Sequence, residues 1–395
     1  MHDDHPFETP DLRTVFSTVP DGRIERTKFH KLEDILVIAA CAMICGQGHF
    51  THMEDFGKAR KQWLEGFLDL PHGIPSHDTF RNVFAALDPA HFLDAFSRWT
   101  SGVLERLRES GEAGSIKGVV AIDGKALRGA LDKGEKPYVI VGAWAAQLGI
   151  CLGQVKVNEK SNEITALPTL LDTLMVKGCI VTIDAMGCQR DVAAKIIEQG
   201  GDYILALKGN QESLYEQARC YLDEALELAR TLGNYHEQES KGHGRHEIRR
   251  CWVMDEVEEW LEGAEKWPGL RSVVAVEREW TQKAVTKVER RYFIASLDPD
   301  AARIADAVRS HWGIENSVHW VLDVTFREDE SRVRTGSAPE NLTALRRWVC
   351  ALLKMSNPES KISINRQKFK ASLDQDFLGQ ILGVVLDASA LSRRP

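Results

Sequence analysis

GVVAIDG at 118–124 and CIVTIDA at 179–185 are the stretches on which the fold turns. Each is a short apolar run that ends in an acid, Asp123 in the first and Asp184 in the second, followed by a small residue. Runs of this length, rich in Val and Ile and closed by a turn residue, read as buried strands. Between them lie YVIVGAWAAQ (138–147) and ICLGQVKV (150–157), split by Leu148-Gly149, and then the helical ITALPTLLDTLM (164–175). A helical stretch at 189–199 and the strand-like DYILALK (202–208) follow Asp184. The order strand, strand, strand, helix, strand, helix, strand predicts an α/β fold, a mixed sheet with flanking helices. Either Asp taken alone is compatible with an ordinary turn residue. The two together, each at the end of a buried strand, favour a site.

Upstream the texture is different. Residues 1–29 carry Pro, Asp and Gly with little periodicity and read as an N-terminal arm. Helical patterns cover His30–Gln47, about Met53–Leu68, Ser76–Leu87 with Ser76 as N-cap, and from Asp88-Pro89 to about Arg108. Residues 30–110 are therefore expected to form a small all-helical domain, joined by the linker ESGEAGS (109–115). The pair 53–68 and 76–87 is compatible with a helix-turn-helix that presents His77, Asp78, Arg81 and Asn82 to a DNA groove. It is equally compatible with plain helical packing, because the turn is long.

Downstream, 211–232 reads as a charged helix. HEIRRCWVM (246–254), RSVVAVEREW (271–280) and KVERRYFIASL (287–297) alternate as strands do and mark a β-rich insertion at about 233–297. Helix resumes near Pro299 and runs to about Val321. The sheet-forming region is expected to span 116–340, and 341–395 to be a helical tail.

Bulk properties narrow the class. The 395 residues are 43% hydrophobic and 27% charged, ordinary for a globular chain with a sizeable core. The formal net charge of −8 means that any nucleic-acid contact must come from local basic patches. None of the eight cysteines forms a C-x-x-C pair, which argues against a zinc ribbon and for buried thiols in a reducing compartment. The N-terminus lacks a signal-peptide core, and the longest apolar run, Ile35–Cys45, is too short to span a bilayer. A soluble cytoplasmic protein with no membrane partner is expected.

A third acid stands out in RSHWGIENSVHWVLD (309–323). On a helix, His311, Glu315 and His319 share one face, flanked by Trp312 and Trp320. This is compatible with a polar seam in the core, with a zinc site of the form His-x3-Glu-x3-His, or with a carboxylate that joins Asp123 and Asp184. The last gives both aspartates a role, and hard oxygen donors suit magnesium rather than zinc. Three carboxylates are the donor set that holds two Mg2+ ions, with Mn2+ as a substitute, for in-line displacement at phosphorus.

The segments DGRIERTKFHKLEDILVIAACAMICG (21–46), PSHDTFRNVF (75–84), AIDGKALRG (121–129), KSNEI (160–164), TIDAMGCQ (182–189), YILALKGNQ (203–211), HGRHEIR (243–249) and HWGIENSVHWVLDVTFREDESRVR (311–334) occur in one order along nearly the whole chain. In that series the sequence resembles the H-repeat-associated transposases of bacterial insertion sequences, a group of DDE transposases. The resemblance implies a ribonuclease-H-like sheet, with Asp123, Asp184 and Glu315 as catalytic acids and metal ligands. It implies an enzyme that binds terminal repeats, cuts double-stranded DNA at the element end and joins it to target DNA, as a homodimer that holds both ends. Related groups carry Tyr, Arg and Lys around the third acid, where this chain has Val308, His311 and Leu322. His311 and His319 are then the candidates for the missing phosphate contacts.

Other DNA-binding candidates carry their own alternatives. Lys125 and Arg128 suit phosphates or a solvated turn. Lys208 and Asn210 end the strand after Asp184, where Gly209 permits close approach. His243, Arg245 and Arg249 give the insertion a basic face, or belong to a mixed-charge hairpin with Glu237, Glu239 and Glu247. Asn316 suits a nucleotide or a metal-bound water. A stand-alone nuclease, a repurposed recombination protein and a non-catalytic DNA-binding protein are the competing functional readings.

Overall fold

The computed structural model describes residues 11–109, 118–127, 138–146, 148–157, 163–231, 234–242, 245–282, 285–314, 318–356 and 362–383. The two acid-tipped runs form β1 (Val119–Leu127) and β4 (Ile180–Ile183), which pair in parallel. β2 (Tyr138–Ala145) and β3 (Ile150–Lys156) extend one side in antiparallel fashion, and β5 (Asp202–Leu207) lies parallel to β4 on the other. The β4–β5 connection carries a helix, so that pair is parallel.

The insertion does not stand apart. β6 (Tyr235–Gly242), β7 (Arg245–Met254), β8 (Ser272–Gln282) and β9 (Val285–Ala295) form an antiparallel meander, and β9 pairs with β5. The result is one nine-stranded sheet, ordered β3-β2-β1-β4-β5-β9-β8-β7-β6. β6, YHEQESKG, has no apolar alternation. It forms at the sheet edge with cross-strand polar pairs to β7, among them the Glu237–Arg250 ion pair and the Glu239–His246 hydrogen bond.

Among the described residues six helices precede the sheet: α1 (Leu12–Ser17), α2 (Leu32–Ile44), α3 (Phe50–Ala59), α4 (Lys61–Leu64), α5 (His77–Ala86) and α6 (Pro89–Glu109). The expected helix at 53–68 breaks at Arg60, whose guanidinium donates to the Ser372 carbonyl at 2.6 Å. Ser76 caps α5 by accepting from the Thr79 amide. Within the sheet region run α7 (Glu163–Asp172), α8 (Arg190–Glu198), α9 (Glu212–Thr231) and α10 (Ala301–Ile314). The helix expected to reach Val321 ends its α form at Ile314, and a π-helical turn covers Val321–Thr325. The chain closes with α11 (Ala338–Met355), α12 (Ile364–Leu373) and α13 (Gln375–Leu382).

The arm and the tail meet in the core. Trp348 on α11 is fully buried, with ring centroids 4.8 Å from Phe16, 5.6 Å from Phe92, 5.1 Å from Phe96 and 5.9 Å from Trp99. α11 is buried on every side and packs on β3, α5 and α6. Residues 341–355 are thus an internal helix rather than an appendage, and Leu12 and Phe16 of the expected arm are core residues. A six-residue helix is too short to declare a period, and a helix wetted on no side shows no amphipathic one. Every described cysteine is free, and all but Cys220 are buried. Among the described residues no helix is long and apolar enough to cross a membrane.

Asp34, inside α2, is fully buried, and neither carboxylate oxygen has a hydrogen-bond partner. Burial, helped by Glu33, raises its carboxyl to about 6. The folded chain then carries an ionisation cost above pH 6 that the unfolded chain escapes, and below pH 4 both states are protonated. Asp34→Asn is therefore expected to stabilise the protein by about 2 kcal/mol at pH 7.5 and to have little effect at pH 4. Urea denaturation at the two pH values measures the difference.

Candidate active site

The β1–β4 register sets Ile122 opposite Ile183. Asp123 is the first residue of β1 beyond that pairing, and Asp184 the first residue after β4. The two carboxylates therefore leave the sheet at the same edge and line one cleft with Lys208, Thr182 and His311. Asp123 Oδ1 accepts from the Gly124 amide at 2.9 Å. Asp184 begins the 3-10 turn Ala185–Gly187, and its side chain makes no capping bond there.

α10 crosses this edge and brings His311 into the cleft. His311 Nδ1 lies 3.0 Å from Thr182 Oγ1. Burial lowers its pKa, against the opposing field of Asp184. His319 Nδ1 stands 3.7 Å from Asp123 Oδ2. Burial, with Arg347 and Lys125 adding to it, drops His319 to about 4. Both imidazoles are thus neutral near pH 7, and the His319–Asp123 contact is not an ion pair there. Neither histidine replaces an arginine charge for charge; each offers a hydrogen bond only.

Glu163, the first residue of α7, also reaches the site. A Cβ on Gly124 would stand 2.6 Å from Glu163 Cδ, so the carboxylate occupies the space that the glycine leaves. Burial and then Asp184 raise its pKa. Sequence reasoning passed over this acid because it sits in the middle of KSNEI, at no strand end.

The other expected contacts divide. Glu315, Asn316, Arg128 and His243 lie outside the described residues, as does the side chain of Arg245. Among the described residues no three His, Cys, Asp or Glu side chains converge to hold a metal. Lys208 is exposed and lines the cleft beside Asp123 and Asp184. Asn210 is committed elsewhere: its amide donates to the Ala185 carbonyl at 2.5 Å and fastens the turn after Asp184. Arg249 pairs with Glu247 and lines a neighbouring groove under α10 with Arg278, Arg291 and Arg309. Arg291 stacks on Trp312 at 3.8 Å, at the boundary of groove and cleft. Arg81 pairs with Asp78 at 2.9 Å on the α5 surface, and His77 with Glu54 at 2.7 Å.

Lys125 corrects its expectation. Its Nζ does not face the cleft as a phosphate contact but lies 2.6 Å from Asp323, 3.2 Å from Glu328 and 3.3 Å from Asp329, with its side chain 7% exposed. The β1 strand that presents Asp123 alternates its faces, so a residue two positions on points to the same side and is covered by 323–329. Glu328 is buried too, 3.9 Å from Arg346 and 4.0 Å from Arg347. Burial works to raise its carboxyl, but Arg347, Arg346 and Lys125 together hold it below its ordinary value.

Two aspartates at adjacent parallel strand ends, with α10 crossing above them, are an arrangement that suits a DDE-type transposase. The chain belongs to this family: the Transposase DDE domain model matches residues 114–353, and the DDE_Tnp_1-associated model matches residues 13–100. It is 36% identical to the H repeat-associated putative transposase YhhI of Escherichia coli (strain K12), over 95% of this chain and 98% of that one. It is 37% identical to the putative transposase YncI of Escherichia coli O157:H7, over 94% of each.

Lys125→Met leaves Glu328, Asp323 and Asp329 without their shared cation. Breaking a buried ion pair from one side is expected to cost about 3 kcal/mol of stability. Urea unfolding at pH 7 measures it, and a stable variant with weakened DNA binding instead would restore Lys125 as a phosphate contact.

Proposed function

We propose that this protein is an active, metal-dependent DNA transposase that binds the terminal repeats of an insertion sequence, cleaves at the element end and joins the freed 3′-hydroxyl to target DNA. The in-register release of Asp123 and Asp184 at one sheet edge carries the reading. Asp123, Asp184 and Glu315 are the proposed catalytic acids. Their all-oxygen donor set fits Mg2+, and the Asp184 side chain makes no capping bond in the turn it begins. Two such ions, when bound, activate the attacking oxygen and stabilise the leaving oxygen of an in-line displacement.

The remaining residues position DNA. Lys208 at the mouth offers a point charge to a phosphate. The Thr182 contact fixes the His311 ring through Nδ1 and leaves Nε2 to meet a phosphate oxygen. The arginine-lined groove joins the cleft through Arg291 and Trp312, which gives the strand a continuation along the insertion. A homodimer is the proposed active form, because two element ends must be held together.

Cleavage of duplex DNA that carries the element's own ends, with Mg2+, Mn2+ or EDTA, tests this. Metal-dependent cutting and joining is expected from the natural chain. Asp123→Asn and Asp184→Asn should lower it by at least about a thousandfold, with binding in EDTA retained. Cutting without joining would indicate a nuclease, and binding without cutting under either metal would indicate a DNA-binding protein.

A further inference from the structure

A second cleft, of about 1150 Å³, opens between the α2–α3 corner and the segment 325–334, with Arg346 and Lys368 at its floor. It shares no lining residue with the cleft of Asp123 and Asp184. Its walls come from both the helical region and the sheet region. Gly46 and Gly48 make one wall of bare backbone: a Cβ on Gly48 would meet nothing within 4 Å, and one on Gly46 only Lys368 Cε at 4.0 Å.

The cleft is cationic. Arg327, Arg332, Arg334, Arg346 and Lys368 line it, and Lys125 and Arg347 lie beneath. Four described carboxylates are engaged with Arg327, Lys125, Arg346 and Arg347, and Arg334 is engaged as well. Glu330 holds Arg327, Asp323 and Asp329 hold Lys125, and Glu328 is shared by Lys125, Arg346 and Arg347. Lys368 is 6% exposed and has no carboxylate partner among the described residues; it donates to the Thr325 carbonyl at 2.8 Å and lies over the Phe326 ring. Arg332 is exposed and makes no ion pair with any described residue. The positive field is felt at His49 on the opposite wall, lowered by burial and then by His52, Arg346 and Arg327. In a chain of net charge −8, such a surplus in one concavity calls for an anionic occupant.

We propose that this cleft binds the phosphodiester backbone of duplex DNA away from the point of cleavage, with Arg332 as its outer contact and the bare Gly46–Gly48 backbone as the opposite wall. The inference rests on the reading of the protein as a DNA-acting enzyme. Bound there, DNA would span the helical region and the sheet region at once. Asp329 in the cleft wall pairs with Lys125, two residues from Asp123, so the occupied cleft abuts the base of the catalytic strand.

Fluorescence anisotropy with a random-sequence duplex in EDTA, across a salt series, tests the proposal without cleavage. Arg332→Ala is expected to weaken binding about three- to tenfold at 0.1 M salt and to make the slope of log affinity against log salt shallower by about 0.9. Arg303→Ala, an exposed arginine on α10, serves as the control and should match the natural chain. If Arg332→Ala binds like Arg303→Ala, the cleft is not a DNA contact, while the DNA-acting reading stands. If the natural chain shows no salt-dependent DNA binding, that reading fails as well. Thermal stabilisation by pyrophosphate that is lost in Arg332→Ala, with DNA binding unchanged, would make the cleft a small-anion site and overturn the proposal.

Discussion

Ile122 stands opposite Ile183, and the geometry of the site follows from that register. A slip of one residue between β1 and β4 would exchange the two buried faces of one strand, undo their packing and carry one carboxylate to the other face. Burial of Val119–Ile122 and Ile180–Ile183 thus holds the register with the free energy of the core. The acids need no mutual contact to stay aligned.

A second constraint holds the helix-bearing segment to this edge. Glu328, Lys125, Arg346 and Arg347 are all nearly excluded from water and tie the 323–329 segment to β1 and to α11. Such a cluster contributes little net stability compared with an apolar filling, but it is costly to break from one side. It fixes the 323–329 segment against β1, and it uses α11, which also carries Trp348 into the aromatic cluster of α1 and α6. The helical region and the site edge therefore share a support.

Asp123, Asp184, the order of strands and helices, and the β-rich character of 246–297 were legible in the sequence because each leaves a local signature: an apolar run, an alternation, a turn residue. Glu163 left none, since its place beside Gly124 joins residues from different elements. Lys125 and Asn210 misled for the opposite reason. Their residue types suit phosphate, but Asp323, Glu328 and Asp329 claim the first, and the Ala185 carbonyl claims the second. Local chemistry cannot tell which partner arrives first from afar.

The sequence by itself determined the strand identities, the two aspartates at strand ends and the helical beginning, because hydrophobic period and turn chemistry act over a few residues. Only the tertiary structure decided that β9 pairs with β5 to make the insertion part of one sheet, that α11 lies inside rather than trailing, and that the cations at 325–334 gather with Lys368 in one cleft. Those outcomes depend on which surfaces bury each other and which charges find partners across long separations, and neither is written in any local period.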